Sequence, residues 1–487
     1  MVEEAYKESY NKEMDSFVEQ KRQAVSLANS VGNLLLNHSV ELVLFRNDLA
    51  DTSVSEKIQL MDYAKNVVNR PINICDVAEI AAEMEQMNLA PAKIDIGKLT
   101  AEWMEKNETE TTSKKEFLDT VLGGFILDKG NSLEPRDVVL YGFGRIGRLV
   151  ARELIKQFGK GQQLRLRAIV TRSDDDKTII KRAALLRNDS VHGKFAGTIV
   201  EDLENKQLII NGQRVLMLGT KDAGNMDYTA YGINNALVID NTGVYTSKEA
   251  LSIHMRATGV AKVLLTAPGS EIPNIVYGIN HFDLDLDGTD IYSAASCTTN
   301  AISPVLKVIN DNLGVEQGHV ETVHAYTNDQ NLLDNMHKKP RRGRSAAINM
   351  VITSTGAGKA VAKVIPELAG KLTANAVRVP TPNGSLAILK LKVGKKTSVE
   401  EVNGLLRDAA LQGNLVNQIN YQMDPELVSN DIIGNTCCSV YDSNATLVHS
   451  DGQNIVLYAW YDNEFGYTKQ VIRLAKYIAK VRRLHYY

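Results

Sequence analysis

Four cysteines stand in 487 residues: Cys75, Cys297, Cys437 and Cys438. That is too few for a disulfide framework, and the adjacent pair Cys437-Cys438 lacks the spacing of a metal knuckle. A reducing cytoplasm is the expected compartment, and no metal site is expected. No apolar run approaches the length of a membrane span, and the acidic start Met1-Val2-Glu3-Glu4 is unlike a secretory leader. The formal net charge is only -3, so there is no basic surplus for a broad nucleic-acid surface. What remains is a composition of 44% hydrophobic and 23% charged residues, that of a globular chain with room for two or three domains.

Residues 1–130 are poor in glycine and rich in helix formers. Ile58, Met61, Ala64, Val67 and Val68 share one helical face, as do Val77, Ile80, Ala81, Met84 and Met87. Phe17, Val25, Leu27 and Val31 predict a helix before them. The polar run Glu105 to Lys115 reads as a linker, with a further helix from Lys115 to Phe125. No chemical constellation lies here, so this mainly helical extension is expected to serve packing, assembly or control.

The texture changes at Arg136. Val138-Val139-Leu140-Tyr141 is a buried-type strand running into Gly142-Phe143-Gly144-Arg145-Ile146-Gly147, then a helix to Gln157 and a second strand, Leu164 to Val170. That order is what a dinucleotide-binding turn requires: glycines permit the tight turn and let backbone approach a pyrophosphate at a helix N-terminus. An acidic residue at the end of the second strand would bind the adenosine ribose. Here Arg172 stands close to that site, followed by Ser173 and three aspartates, so NAD and NADP both remain open. Later strands end in polar turns, Asp240-Asn241-Thr242-Gly243 and Thr266-Ala267-Pro268-Gly269, which in an open parallel sheet face the cofactor crevice.

The strand-like run Ile291 to Ala295 leads into Ser296-Cys297-Thr298-Thr299-Asn300 and a helix. Thr298 and Thr299 are expected N-caps, which would set Cys297 at a helix start where a thiolate is favoured. The thiol would then sit beside a nicotinamide, an arrangement suited to aldehyde oxidation through a covalent intermediate. His324, on an alternating strand from Gly318 to Tyr326, is the candidate base. The basic loop Lys338 to Arg344, near the turn Ser354-Thr355-Gly356-Ala357, is either a solvated charge run or an anion site.

From about Arg136 onward the chain resembles phosphorylating glyceraldehyde-3-phosphate dehydrogenase. The resemblance rests on Gly142 to Arg148, Ser296 to Asn300, Thr322-Val323-His324-Ala325-Tyr326-Thr327, Ser354 to Ala357, Arg378-Val379-Pro380-Thr381-Pro382-Asn383 and Trp460-Tyr461-Asp462-Asn463-Glu464. It implies an α/β protein: a Rossmann domain at 134–298, joined by the C-terminal helix 463–487, and an α+β catalytic domain at 299–462. It implies that Cys297 attacks the aldehyde and His324 activates it. Thr327 and Arg378 would hold the phosphate of glyceraldehyde 3-phosphate, and Thr355 and Gly356 the attacking inorganic phosphate, with Ser296 and Thr298 beside the substrate. Gly142, Gly144, Arg145, Ile146, Gly147, Thr266, Asn463 and, on the adenine side, Lys221 would line the NAD or NADP site. A homotetramer is implied. Three departures stand out: Val170-Thr171-Arg172 replaces the family's Asn-Asp, Asp329 stands where a threonine is usual, and the first 130 residues have no counterpart. Asp329-Gln330 and Arg341-Arg342 are also similar to erythrose-4-phosphate dehydrogenase, the alternative enzyme; a non-catalytic regulatory protein keeping the fold is the alternative outside enzymes.

Overall fold

The computed structural model describes residues 2–50, 52–128, 133–157, 159 and 161–487, with side chains from Tyr6 onward. Two compact units emerge. One holds the chain up to Glu134 with Gly159–Gln163 and Val481–Tyr487; the other holds Pro135–Phe158 and Leu164–Lys480.

In the second unit the hydrophobic strand Arg136–Tyr141 is central to an eight-stranded sheet, because Val138, Val139 and Leu140 are buried on both faces. The order across the sheet is Ile291–Ser293, Val260–Leu265, Ala236–Asp240, Arg136–Tyr141, Leu164–Thr171, Gln213–Gly219, Gln207–Ile210 and Ile199–Asp202. The first six run parallel; Gln207–Ile210 pairs antiparallel with the sixth, and Ile199–Asp202, at the edge, pairs antiparallel with it in turn. Tyr141 is in register with Val170 and with Asp240, so the glycine turn, the second strand end and the Asp240 turn emerge on one edge. The helix after the glycine turn starts inside the motif, spanning Arg145–Lys156.

A second sheet of eight strands follows the cysteine helix Cys297–Leu313. Its centre is Val315–Ala325, paired parallel with Leu372–Val379 and antiparallel with Ser385–Val393. That register sets His324 opposite Arg378. Asn454–Tyr461 continues the sheet beyond Ser385–Val393.

The first unit is mainly helical, with helices Val2–Asn33, Val54–Asn66, Ile74–Glu85, Ile96–Thr109 and Lys114–Val121. It also holds a four-stranded sheet that the sequence reading missed, ordered Asn47–Asp48, Glu41–Leu44, Ala92–Asp95, Leu484–Tyr486. Leu42, Leu44 and Ile94 put this sheet into a core with Leu27, Val77 and Met84. The last strand comes from the far end of the chain. The C-terminal helix expected at 463–487 instead spans Phe465–Ile478, and the residues after Val481 turn to a strand beside Ala92–Asp95. The expected linker Glu105 to Lys115 is also corrected: the helix runs on to Thr109, and Ser113 caps the next helix in a full capping box with Glu116. The linker reading failed because the exposed end of a helix is as polar as a linker.

Candidate active site

The strand Ile291–Ser293 reaches its helix through Ala295, a non-glycine residue at φ 54°. Such left-handed backbone is strained and is held only where its surroundings fix it. Ser293 Oγ accepts from the Ala295 N–H at 3.0 Å, and Tyr467 O–H donates to the Ala295 carbonyl at 2.9 Å. The kink turns the next residues into a helix start. Ser296, rather than Thr298 or Thr299, is the cap: its Oγ accepts from Thr299 N–H at 3.0 Å. Thr298 is already inside the helix and turned inward to the Tyr461 hydroxyl at 3.1 Å.

Cys297 is the first helical residue, and its Sγ lies 3.7 Å from His324 Nε2. On the far side of the ring, Nδ1 donates to the Ala325 carbonyl at 2.7 Å, which leaves Nε2 as the lone-pair nitrogen facing sulfur. Arg378 Nη1 donates to the same carbonyl at 2.8 Å and stands 3.2 Å from Nδ1. Burial, then the Arg378 and Arg342 charges, bring the imidazole down to about 3. Burial pushes the Cys297 thiol up, against the pull of Arg378 and the Thr298 hydroxyl and backbone. Burial thus disfavours the charged form of both groups. The helix start favours a thiolate, and desolvation by the cleft walls works against it.

The pair sits on a cleft of about 680 Å³. Gly144, Arg145, Ile146, Thr266 and Asn463 from the expected cofactor set line it, as do Ser296 and Thr327. Gly142 has φ 91°, and a Cβ there would come within 2.8 Å of Thr242 Cγ2; a Cβ on Gly147 would meet the Gly142 carbonyl at 2.5 Å. A Cβ on Gly144 would meet nothing within 4 Å. The loop is thus closed on two sides and open on the cleft side, at a helix start with no side-chain cap, and these residues fit a dinucleotide pyrophosphate. Asn463 Oδ1 accepts from Ser385 Oγ at 2.8 Å, leaving its NH₂ for a ligand. The Arg145 side chain is committed to Glu464 and, at 3.3 Å, to Asp189.

Thr327 Oγ1 lies 3.5 Å from Arg378 Nη1. Thr355 and Gly356 are outside the cleft lining, just before the helix Ala357–Val364, in which Gly356 is the N-cap. The basic loop is pinned rather than free. Arg342 donates to Thr353 Oγ1 at 3.1 Å and forms an ion pair with Asp329; Lys339 donates to Ser354 Oγ at 3.1 Å. Burial would raise the Asp329 carboxyl, yet the Arg342 contact holds it below its ordinary value. The acid is thereby neutralised. Arg172 and Lys221 lie outside the cleft lining, exposed beyond the ends of Leu164–Thr171 and Gln213–Gly219. Sequence reading missed Ala295 and Tyr467, while compensation of Asp329 by a neighbouring arginine was expected and Arg342 is the one that pairs with it. The Arg-Arg pair was a visible signal for that pairing; nothing in an alanine signals positive φ.

A doubly wound sheet with a glycine turn, facing a cysteine–histidine pair, is the architecture of a nicotinamide-dependent dehydrogenase. Family models agree: residues 136–248 match the glyceraldehyde 3-phosphate dehydrogenase NAD binding domain, and 296–463 match the C-terminal domain of that family. The chain is 43% identical over 345 residues to glyceraldehyde-3-phosphate dehydrogenase 2 of Trichormus variabilis, 70% of this chain and 98% of the relative. It is 41% identical over 353 residues to the Clostridium pasteurianum glyceraldehyde-3-phosphate dehydrogenase, 71% of this chain and 99% of the relative. A glyceraldehyde-3-phosphate dehydrogenase-like protein of Pseudomonas aeruginosa is 47% identical over 455 residues, 93% of this chain and 98% of the relative, so that match takes in most of the N-terminal region. The chain belongs to the glyceraldehyde-3-phosphate dehydrogenase family and is a nicotinamide-dependent oxidoreductase, for NAD or NADP. Among the described residues no helix is long and apolar enough to cross a membrane.

Proposed function

We propose that this protein oxidises glyceraldehyde 3-phosphate with uptake of inorganic phosphate, giving 1,3-bisphosphoglycerate through a thioester on Cys297, with NAD or NADP. The observation that carries the reading is the 3.7 Å approach of Cys297 Sγ to a His324 nitrogen left as an acceptor, on a cleft with the glycine turn and Asn463. As sulfur adds to the aldehyde carbon, Nε2 takes the thiol proton and the carbonyl oxygen becomes a hydroxyl. The same imidazole, having released that proton, takes the hydroxyl proton when hydride leaves the carbon. A bound nicotinamide supplies the hydride acceptor. Inorganic phosphate then attacks the thioester and expels the thiolate, which is reprotonated.

Arg378 and Thr327 supply a guanidinium and a hydroxyl for the substrate phosphate. Thr355 and Gly356 are the proposed site of the attacking phosphate, with Ser296 and Thr298 beside the substrate. The domains proposed are 1–130, 134–298 with 463–487, and 299–462. A homotetramer is proposed; apolar side chains exposed on one segment, Leu332, Leu333, Met336, Ile348 and Met350, support association of subunits. The cytoplasm is the proposed compartment, since its thiol buffer suits four unpaired cysteines.

Steady-state rates with NAD and NADP, with and without phosphate, on glyceraldehyde 3-phosphate and erythrose 4-phosphate test the proposal. Turnover of the triose phosphate that requires inorganic phosphate is expected. Phosphate-independent turnover of the tetrose phosphate alone would transfer the assignment to an erythrose-4-phosphate dehydrogenase. Inertness with both would leave a regulatory protein that keeps the fold.

A further inference from the structure

The rim beyond the second strand of the nucleotide sheet carries charge that the reaction itself does not use. Leu164–Thr171 lies between Arg136–Tyr141, which feeds the glycine turn, and Gln213–Gly219. Gly142 N–H donates to Val170 at 2.9 Å on one side, and Thr220 N–H donates to Thr171 at 2.9 Å on the other. The chain therefore releases Arg172 between the glycine turn and Lys221, each cation one or two residues past paired strand ends in register, Thr171 with Gly219. Both are exposed, and neither has a hydrogen bond or ion pair among the described residues.

The carboxylates nearby are mostly spent on local structure. Asp175 caps the helix Asp176–Arg187, accepting from Thr178 N–H at 2.9 Å and from the Thr178 hydroxyl at 2.8 Å. Asp176 pairs with Lys206 at 2.6 Å. Asp222 accepts from Gly224 N–H at 2.9 Å and Asn225 Nδ2 at 3.0 Å. Asp174 makes no side-chain hydrogen bond among the described residues and adds its charge to the field on Lys206; it lies against Gly219, where an added Cβ would fall 2.9 Å from its Oδ1.

The second strand end is where a Rossmann sheet meets the adenosine ribose, by an acid for a free 2′-hydroxyl or an arginine for a 2′-phosphate. We propose that Arg172 and Lys221 together form a 2′-phosphate site, so that this chain takes NADP in preference to NAD. The proposal rests on reading the cleft as a dinucleotide site. Two unpaired cations on adjacent strand ends give a dianion the charge-assisted donors it needs, whereas an NAD-type site would rely on Asp174.

Calorimetric binding of 2′,5′-ADP and 5′-AMP to the full-length protein tests this without turnover. The expected result is 2′,5′-ADP bound about tenfold or more tightly than 5′-AMP, with the advantage lost in the Arg172→Leu, Lys221→Ala double variant. Asp174→Asn should leave 5′-AMP binding within about twofold. Equal affinities, no binding of either nucleotide, or a marked loss of 5′-AMP affinity in Asp174→Asn would overturn it. Paired kcat/KM values separate the two readings: turnover that favours NAD sinks this inference alone, and absent turnover with intact 2′,5′-ADP binding sinks the dehydrogenase reading alone.

Discussion

Arg378 Nη1 stands 3.2 Å from His324 Nδ1 and shares with it the Ala325 carbonyl. One guanidinium thus reaches both the base and, through Thr327 at 3.5 Å, the proposed phosphate subsite. Its charge helps to keep the imidazole neutral. Replacing Arg378 by Leu should lower kcat/KM for the phosphorylated aldehyde by about 10–100-fold, the scale of one charge-assisted contact. It should also move the acid limb of the pH–rate profile to higher pH, because the imidazolium is no longer repelled. A pH profile measured on both proteins checks the sign; an unmoved limb would show that the charge does not reach His324.

Asp329 carries a negative charge into the phosphate neighbourhood, and Arg342 cancels it. Asp329→Asn should therefore lower KM for the sugar phosphate, since Arg342 is then free to attract it. Arg342→Gln should raise KM, because the carboxylate is left uncompensated. The two shifts should shrink as salt is added. Steady-state KM values at low and high ionic strength decide the matter; parallel shifts in both variants would contradict it.

Ser296 caps the catalytic helix. Ser296→Ala should cost about 1 kcal/mol of stability, the usual loss for a serine cap, seen as a lower denaturant midpoint at unchanged slope. An unaltered midpoint would mean that Thr298 or Thr299 takes over the cap.

That cap also shows what the sequence could and could not say. Three hydroxyls, Ser296, Thr298 and Thr299, lie within four residues, and local preference does not choose among them. The choice is made by Ala295, whose left-handed backbone is fixed by Ser293 and by Tyr467, a residue far away in the chain. Cys297 and His324 were legible because their motifs carry the chemistry in the residues themselves. The small sheet of the first unit was not, since Glu41–Leu44 and Ala92–Asp95 are four residues each and Leu484–Tyr486 joins them from the other terminus. The upward push of burial on the Cys297 thiol was hidden too, because desolvation depends on walls that only the folded cleft supplies.

Within that first unit Lys93 lies between Glu41 at 2.7 Å and Asp48 at 2.9 Å, and Arg483 reaches Glu41 at 2.8 Å. Burial alone would lower the Lys93 ammonium, but the Asp48 and Glu41 charges hold it above its ordinary range. Lys93→Met strands a largely buried acid and should cost about 3–5 kcal/mol. Chemical unfolding of the full chain followed by a fluorophore or by proteolysis of residues 1–134 measures it; a loss below about 1 kcal/mol would place the pair with ordinary surface bridges.

The most direct measurement is a single turnover without phosphate: enzyme, NADP or NAD and glyceraldehyde 3-phosphate are mixed, reduced dinucleotide is followed by absorbance, and the protein is weighed intact. One equivalent of reduced dinucleotide per site should form in a burst, with an acyl group on Cys297 that phosphate discharges, and Cys297→Ser should show neither. A full burst in that serine variant, or turnover that leaves no acyl group on Cys297 at any time, would contradict the account.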